Sequence, residues 1–424
     1  MSIPAPALEL VTIGDELVLG ETLDTNGAWL GRRLASEGFR VARHVTVGDD
    51  VWAIRDAVEG ALVRTGTVLC TGGLGPTEDD LTRPAVAGLF GRDLHVDHAV
   101  LEMIRERFAR LDRPMPERNR TQAEVPDGAR ILPNRHGTAP GLVLEDGDRM
   151  AILLPGVPSE MRALMEEQVL PLLRARWRVR LRPILHRTLR TTGVPESRLA
   201  EQLEGLEDEI APLTLAYLPA SAGVDLRLTS WGAMDESDAE RALDAAETLV
   251  RARTGDAVYA RNGEDLAEVV GRELANRNLT VSLAESCTGG LIAKRLTDVP
   301  GSSAYLLSAI VAYANSAKET LLGVRRQTLE AHGAVSRETA REMALGAIDA
   351  ASADLGLSVT GIAGPGGGTP EKPVGTVWIA VASRDGHTEE RMFRLSGDRQ
   401  GIRDRAAQAA LAMLLQFIAR GGQR

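Results

Sequence analysis

Residues 67–82 read Thr-Val-Leu-Cys-Thr-Gly-Gly-Leu-Gly-Pro-Thr-Glu-Asp-Asp-Leu-Thr. The first four predict a short buried strand, the glycines at 72, 73 and 75 end it, and a helical pattern follows. A strand running through glycines into a helix is the repeating unit of a parallel sheet wrapped by helices, so the stretch predicts an α/β fold. Towards the amino terminus the alternation continues: strand 8–13, helix 26–37, strand 40–45 and helix 53–63. Towards the carboxyl terminus a strand at 150–154 leads to a helix starting near Ser159, and the first domain is expected to end near residue 176.

The pattern then changes. Strands 187–192 and 224–229 with helices 196–204 and 237–254 predict a small α+β module, and the alternation of Val224-Asp-Leu-Arg-Leu-Thr leaves one sheet face solvated. A third unit follows: helix 266–276, strand 280–284, a glycine turn at 285–290, helix 291–296, strands 357–360 and 376–382, and helix 402–417. The expected architecture is two α/β domains with parallel or mixed sheets, 1–176 and 262–424, joined by the α+β module 177–261.

The 424 residues are too many for one ordinary core, and 44% hydrophobic with 25% charged residues is a globular balance. A net charge of -10 disfavours non-specific binding of nucleic acid, and 3% aromatic content disfavours a base-stacking platform. Two cysteines, Cys70 and Cys287, make neither a disulfide framework nor a zinc site. The start, Met-Ser-Ile-Pro-Ala-Pro-Ala, lacks a basic region before an apolar core, and no apolar run approaches roughly 18 residues. A cytoplasmic chain with no membrane partner is expected.

Two places carry chemistry. After the strand at 67–70, glycines let the backbone approach a ligand and helix-start amides favour phosphate. The carboxylates Glu78, Asp79 and Asp80 would repel a bare phosphate, so they point to a hard divalent cation between acid and phosphate. A plain acidic helix start is the alternative. An earlier loop, Gly14-Asp15-Glu16 with Asp24 and Asn26, adds two carboxylates after a strand, and further loops lie at 134–141 and 154–161.

The second place is Ala284-Glu-Ser286-Cys-Thr-Gly-Gly290. A serine on a strand-to-helix turn is exposed near backbone amides that can hold an oxyanion. With no histidine in the pattern its base would be a lysine of depressed pKa, and Lys318 in Tyr313-Ala-Asn315-Ser-Ala-Lys318 is the candidate. Any one lysine is more often a surface residue. Cys287 is the rival nucleophile, although a free cysteine is more often buried and inert. Arg399 and Arg403 at the start of the last helix suit a phosphate or, alternatively, pair with Asp398 or Asp404.

The glycine–acid run with its neighbouring loops resembles a MoaB/MogA-like molybdopterin-binding domain, in the form found at the amino terminus of the CinA (competence/damage-inducible) family. Ala-Glu-Ser-Cys-Thr-Gly-Gly, Tyr-x-Asn-x-x-Lys, His332-Gly-Ala-Val-Ser336, Gly-Ile-Ala-Gly-Pro, Lys-Pro-Val-Gly-Thr-Val and Ser-Gly-Asp-Arg, in that order, resemble the CinA carboxyl-terminal, PncC-type amidase domain. That resemblance implies deamidation of nicotinamide mononucleotide to nicotinic acid mononucleotide and ammonia without a metal. Ser286 would attack, Lys318 would carry the proton, Tyr313 would assist and Thr360 would line the site. Thr288, Gly289, Gly290, Asn315 and Gly361 would contact substrate, with Arg399 or Arg403 on its 5′-phosphate.

For the first domain the resemblance implies hydrolysis of ADP-ribose with magnesium, manganese or cobalt. Asp79 and Asp80 would hold the metal with help from Asp15 or Glu16. Gly14, Asn26, Thr71, Gly72, Gly73, Gly75, Thr77, Gly137 and Gly141 would line the nucleotide site. The alternative is a pterin- or nucleotide-binding regulatory protein in which only the amidase is active. The family further implies a KH-like middle module, and a homodimer is the default assembly.

Overall fold

The computed structural model describes residues 6–177, 181–220 and 223–421. Its contacts separate into two compact units, Met1–Leu185 with Ser230–Glu240, and His186–Thr229 with Arg241–Arg424.

The first unit contains β1 (Ala7–Ile13), β2 (Arg40–Val47), β3 (Thr67–Thr71), β4 (Leu94–Val96), β5 (Glu124–Pro126), β6 (Arg130–Leu132), β7 (Gly141–Asp146) and β8 (Arg149–Leu154). The main sheet runs β2-β1-β3-β8-β7-β6. β2, β1, β3 and β8 are parallel. β7 and β6 add an antiparallel edge, and β4 pairs with β5 apart from the sheet. Successive side chains point to opposite faces, so Leu8, Leu10 and Leu69 enter a core with Leu30 and Leu34 while Val11, Ile13 and Cys70 enter another with Ile54 and Val58. Burial on both faces explains why these strands read as near-continuous apolar runs. Because β2 and β3 flank β1, strand order reverses there, and the crevice beyond the carboxyl ends of β1 and β3 is where open α/β sheets bind ligands.

The α+β module is a sheet ordered β10-β11-β9-β12, built from β9 (Ile184–Thr191), β10 (Thr214–Ala220), β11 (Gly223–Trp231) and β12 (Val258–Arg261). Helices Glu196–Gln202, Leu206–Ile210 and Glu236–Thr254 accompany it. β10 and β12 were not anticipated. Pro219 interrupts the first as a strand signal, and the second has only four residues.

The last sheet runs β14-β13-β15-β16-β17, from β13 (Val281–Glu285), β14 (Leu306–Val311), β15 (Leu355–Gly361), β16 (Thr376–Ser383) and β17 (Thr388–Arg394). Its first three strands are parallel and the last two antiparallel. Helices Leu266–Asn276 and Arg399–Ala419 pack Val270, Ala407 and Leu411 against Leu283 and Val359 on one face. On the other, Met343 and Ala347 of helix Arg337–Ala351 meet Ala284. The helix expected at 266–276 has those bounds because Asp265 and Glu268 close a capping box at its start. Among the described residues no helix is long and apolar enough to cross a membrane.

Candidate active site

β13 ends at Glu285, in register with Val311 of β14 and Val359 of β15. Three parallel strands therefore deliver Ser286, the segment after Val311, and Thr360 to one edge of the sheet. Two backbone bonds tie the strand ends together: Ser286 N–H donates to the Val359 carbonyl at 2.9 Å, and Ala312 N–H to the Glu285 carbonyl at 2.8 Å.

Lys318 lies one turn into helix Asn315–Leu322 and is 1% exposed. Its Nζ stands 3.0 Å from Ser286 Oγ, 2.8 Å from the Ala312 carbonyl and 3.4 Å from the Tyr313 carbonyl. A neutral amine has two donors and one lone pair. Once the amine has lost its proton, the two carbonyls can take its two N–H donors and leave the lone pair for the Ser286 hydroxyl. Burial lowers the lysine below its ordinary value against a weaker opposing effect of Cys287, and a cation in a helix's first turn is also disfavoured by the helix dipole. Cys287 is buried and its thiol is pushed up to about 11, chiefly by that burial, so it carries no thiolate at neutral pH.

The turn after Ser286 is held from beneath. The buried Glu285 carboxylate accepts the N–H groups of Gly290, Ile292 and Ala293, filling the start of helix Leu291–Thr297. Gly289 N–H bonds back to the Ser286 carbonyl at 3.1 Å. Arg403 donates to the Thr288 carbonyl at 2.8 Å and passes over Gly289 at ordinary contact distance. Among the described residues the buried Thr288 hydroxyl has no hydrogen-bond partner.

The other expected residues divide. Tyr313 meets Lys318 through its carbonyl, while its exposed phenol accepts from Arg399 at 2.9 Å. Thr360 donates to the Ala334 carbonyl at 2.7 Å, so its hydroxyl holds the 332–336 loop. Asn315 is exposed at the first helical position, and Gly361 ends β15 opposite Val377. Arg399 also donates to the Gly364 carbonyl at 2.6 Å. Arg399 and Arg403 line a cavity of about 510 Å³ with Gly364, Pro365 and Asp398. Among the described residues neither arginine forms an ion pair; Asp398 instead caps its own helix.

In the first unit, a small cavity of about 150 Å³ at the switch point is lined by Thr12, Glu16, Asn26, Thr71 and Gly156. Gly72 has φ +113° and lies so close to the Ile13 carbonyl that a side chain could not fit. Thr71 and Asn26 both anchor the loop after β8, donating to the Pro155 and Gly156 carbonyls at 2.9 and 2.7 Å. Gly14 precedes a short helix, Asp15–Val18. Gly73 lies against Thr82, Gly137 against Glu160, and Gly141 is a packing position within β7.

The four acids expected to bind metal are not brought together as a set. Asp80 takes Gly75 N–H at 2.6 Å, Thr77 N–H at 2.8 Å and the Thr77 hydroxyl, so it closes the glycine loop on itself. Asp15 bonds Asp49 N–H, and Asp49 in turn accepts Asp15 N–H at 2.9 Å. Asp49 is raised above the usual carboxylate range by burial and by the charges of Asp15, Glu16 and Asp79. Asp49 was missed in the sequence; its signal was a pair of acids after Gly48 at the end of β2. Among the described residues no three potential ligands converge on one point.

Comparison with known proteins is consistent along the whole chain. A CinA-like protein of Gemmatimonas aurantiaca is 49% identical over 415 residues, covering 97% of this chain and 96% of that one. The chain belongs to the CinA family. A CinA-like protein of Chlorobaculum tepidum is 46% identical over 416 residues, covering 96% of this chain and 97% of that one. The solved structure of competence/damage inducible protein CihA from Agrobacterium tumefaciens is 44% identical, covers 36% of this chain and 96% of that one, and has a TM-score of 0.35. Residues 9–175 match the family described as "probable molybdopterin binding domain", 186–260 the damage-inducible protein CinA KH domain, and 263–418 the CinA C-terminal domain. The KH-like module contains no Gly-x-x-Gly, the loop with which KH domains clamp a nucleic-acid backbone.

Proposed function

We propose that the carboxyl-terminal domain is a serine amidase that uses Lys318 as its base and hydrolyses the carboxamide of nicotinamide mononucleotide. The observation that carries this reading is the 3.0 Å approach of Lys318 Nζ to Ser286 Oγ in a buried setting that lowers the amine below its ordinary value. Lys318 takes the Ser286 proton as Oγ attacks the carboxamide carbon, and returns it to the leaving nitrogen, which departs as ammonia. The resulting ester is cleaved by a water that Lys318 deprotonates, releasing the acid and restoring the serine. Among the described residues Glu285, Val359 and the Ser286 carbonyl engage the Gly290, Ser286 and Gly289 amides, and the Cys287 and Thr288 N–H groups, next along the chain from the nucleophile, are the candidates to hold the oxyanion. Arg399 and Arg403, unpaired with acids beside the adjoining cavity, support a phosphorylated substrate.

The test is ammonia release from nicotinamide mononucleotide by the full chain in the presence of a chelator. Ser286→Ala is expected to lower kcat by more than about 10³, and Arg399→Ala to raise KM roughly 10-fold or more. Undiminished turnover by Ser286→Ala sinks the reading.

For the first unit, the switch-point cavity and its glycine loops support binding of a phosphorylated nucleotide. Hydrolysis of ADP-ribose with a divalent metal is the further step, in which Asp80 would act while its carboxylate also closes its own loop. AMP release from ADP-ribose with added metal, lost on chelation, supports turnover; binding without release supports the regulatory alternative.

A further inference from the structure

The second unit holds a cavity of about 750 Å³ that none of the chemistry above uses. One wall comes from the KH-like module and the other from β17 and helix Arg399–Ala419 of the amidase domain, all within the same compact unit. Its charges are segregated. Arg394 and Arg405 stand on the amidase side, Glu196 and Asp256 on the module side, and Phe393 and Met413 add apolar lining on the amidase side.

Among the described residues Arg394 has no acidic or hydrogen-bonding partner. Arg405 is held in place by a bond to the Ser396 carbonyl. Arg391, on the same wall, is already paired with Glu389 at 2.8 Å. The volume lies within the 300–1,000 Å³ typical of small-molecule sites.

We infer that this cavity is a second ligand site, distinct from the one beside Ser286, for a nucleoside monophosphate. The anionic end would lie on Arg394 and Arg405, the planar ring over the apolar strip, and the amino groups of the ring against Glu196 and Asp256. Two guanidiniums on one wall, one held by a backbone carbonyl and the other free of acidic partners among the described residues, suit an anionic group. The opposed acids require a ligand that also donates hydrogen bonds.

Equilibrium dialysis of the full chain against AMP tests this, with adenosine and ribose 5-phosphate as ligands lacking one half of the chemistry. Ala412→Trp fills the cavity, and Arg394→Glu reverses the unpaired charge without adding bulk. The wild type is expected to bind one more AMP per chain than Ala412→Trp, and Arg394→Glu to weaken that site at least about 10-fold. Adenosine and ribose 5-phosphate are each expected to bind it at least about 10-fold more weakly than AMP. Unfolding midpoints check that both variants keep the fold, and Arg394→Glu alone decides the matter if Ala412→Trp does not. AMP binding identical in wild type and folded variants, or no AMP bound beyond the first unit's share, overturns the proposal. Adenosine binding as well as AMP overturns its anionic part.

Discussion

Lys318 must lose its proton before it can accept one from Ser286, and the burial that lowers its pKa also weakens the fold. Unfolded, it holds its proton up to its ordinary value of 10.5; folded, it releases the proton at lower pH. Between those two values the unfolded chain binds more protons, so stability rises with pH across that window. Lys318→Met is expected to abolish that rise and to lift the unfolding midpoint at neutral pH by about 2–4 °C, while lowering kcat about 10²–10⁴-fold. Calorimetry at several pH values and an ammonia assay together check this; an unchanged pH dependence of stability would contradict the burial argument. In the wild type, kcat/KM should climb as Lys318 loses its proton and level off above. At this scale the sequence was partly legible. Ser286 stood out because a nucleophile on a strand-to-helix turn has a recognisable pattern, and Cys287 was set aside by its burial. Asp80 was read as a metal ligand, and its closing of the glycine loop was not legible, because an acid that closes its own loop has the same local sequence as one that binds a cation.

At the level of elements, the Ser286–Lys318 contact depends on β14. That strand, Leu306–Val311, was absent from the sequence-based reading, and without it nothing relates Lys318 to a serine 32 residues earlier. The parallel register of Glu285 with Val311 brings the two segments out at the same edge. β14 is an edge strand with alternate side chains exposed, so its pattern is weaker than the fully buried runs of β13 and β15. Glu285 provides a separate test. Its carboxylate satisfies three N–H groups at the start of helix Leu291–Thr297, and the side chain is 1% exposed. Glu285→Ala leaves those donors unmet and should cost about 2–3 kcal/mol, read as a lower urea midpoint for the second unit. Activity should fall as well, because the same turn carries Ser286. Loss of activity with no loss of stability would assign Glu285 to chemistry instead of capping.

For the whole molecule, domain order and class were legible because each sheet carries its own glycine turn after an apolar strand, and these signals are local. The α+β module was less so, since β10 and β12 are short or interrupted by proline. Its KH-like identity does not by itself make it a nucleic-acid binder. With no Gly-x-x-Gly loop and a chain charge of -10, a labelled short RNA should show no anisotropy change up to about 10⁻⁴ M protein at physiological salt. Saturable binding below that concentration would show that the module grips RNA by other means.

The central claim is a covalent bond on Ser286, and peptide mass mapping of acid-quenched enzyme turning over nicotinamide mononucleotide tests it most directly. The account expects the acyl mass of the nicotinate nucleotide on Ser286, in amounts that vanish in Ser286→Ala. The same mass on Cys287, or full turnover by Ser286→Ala with no adduct on either residue, would contradict it.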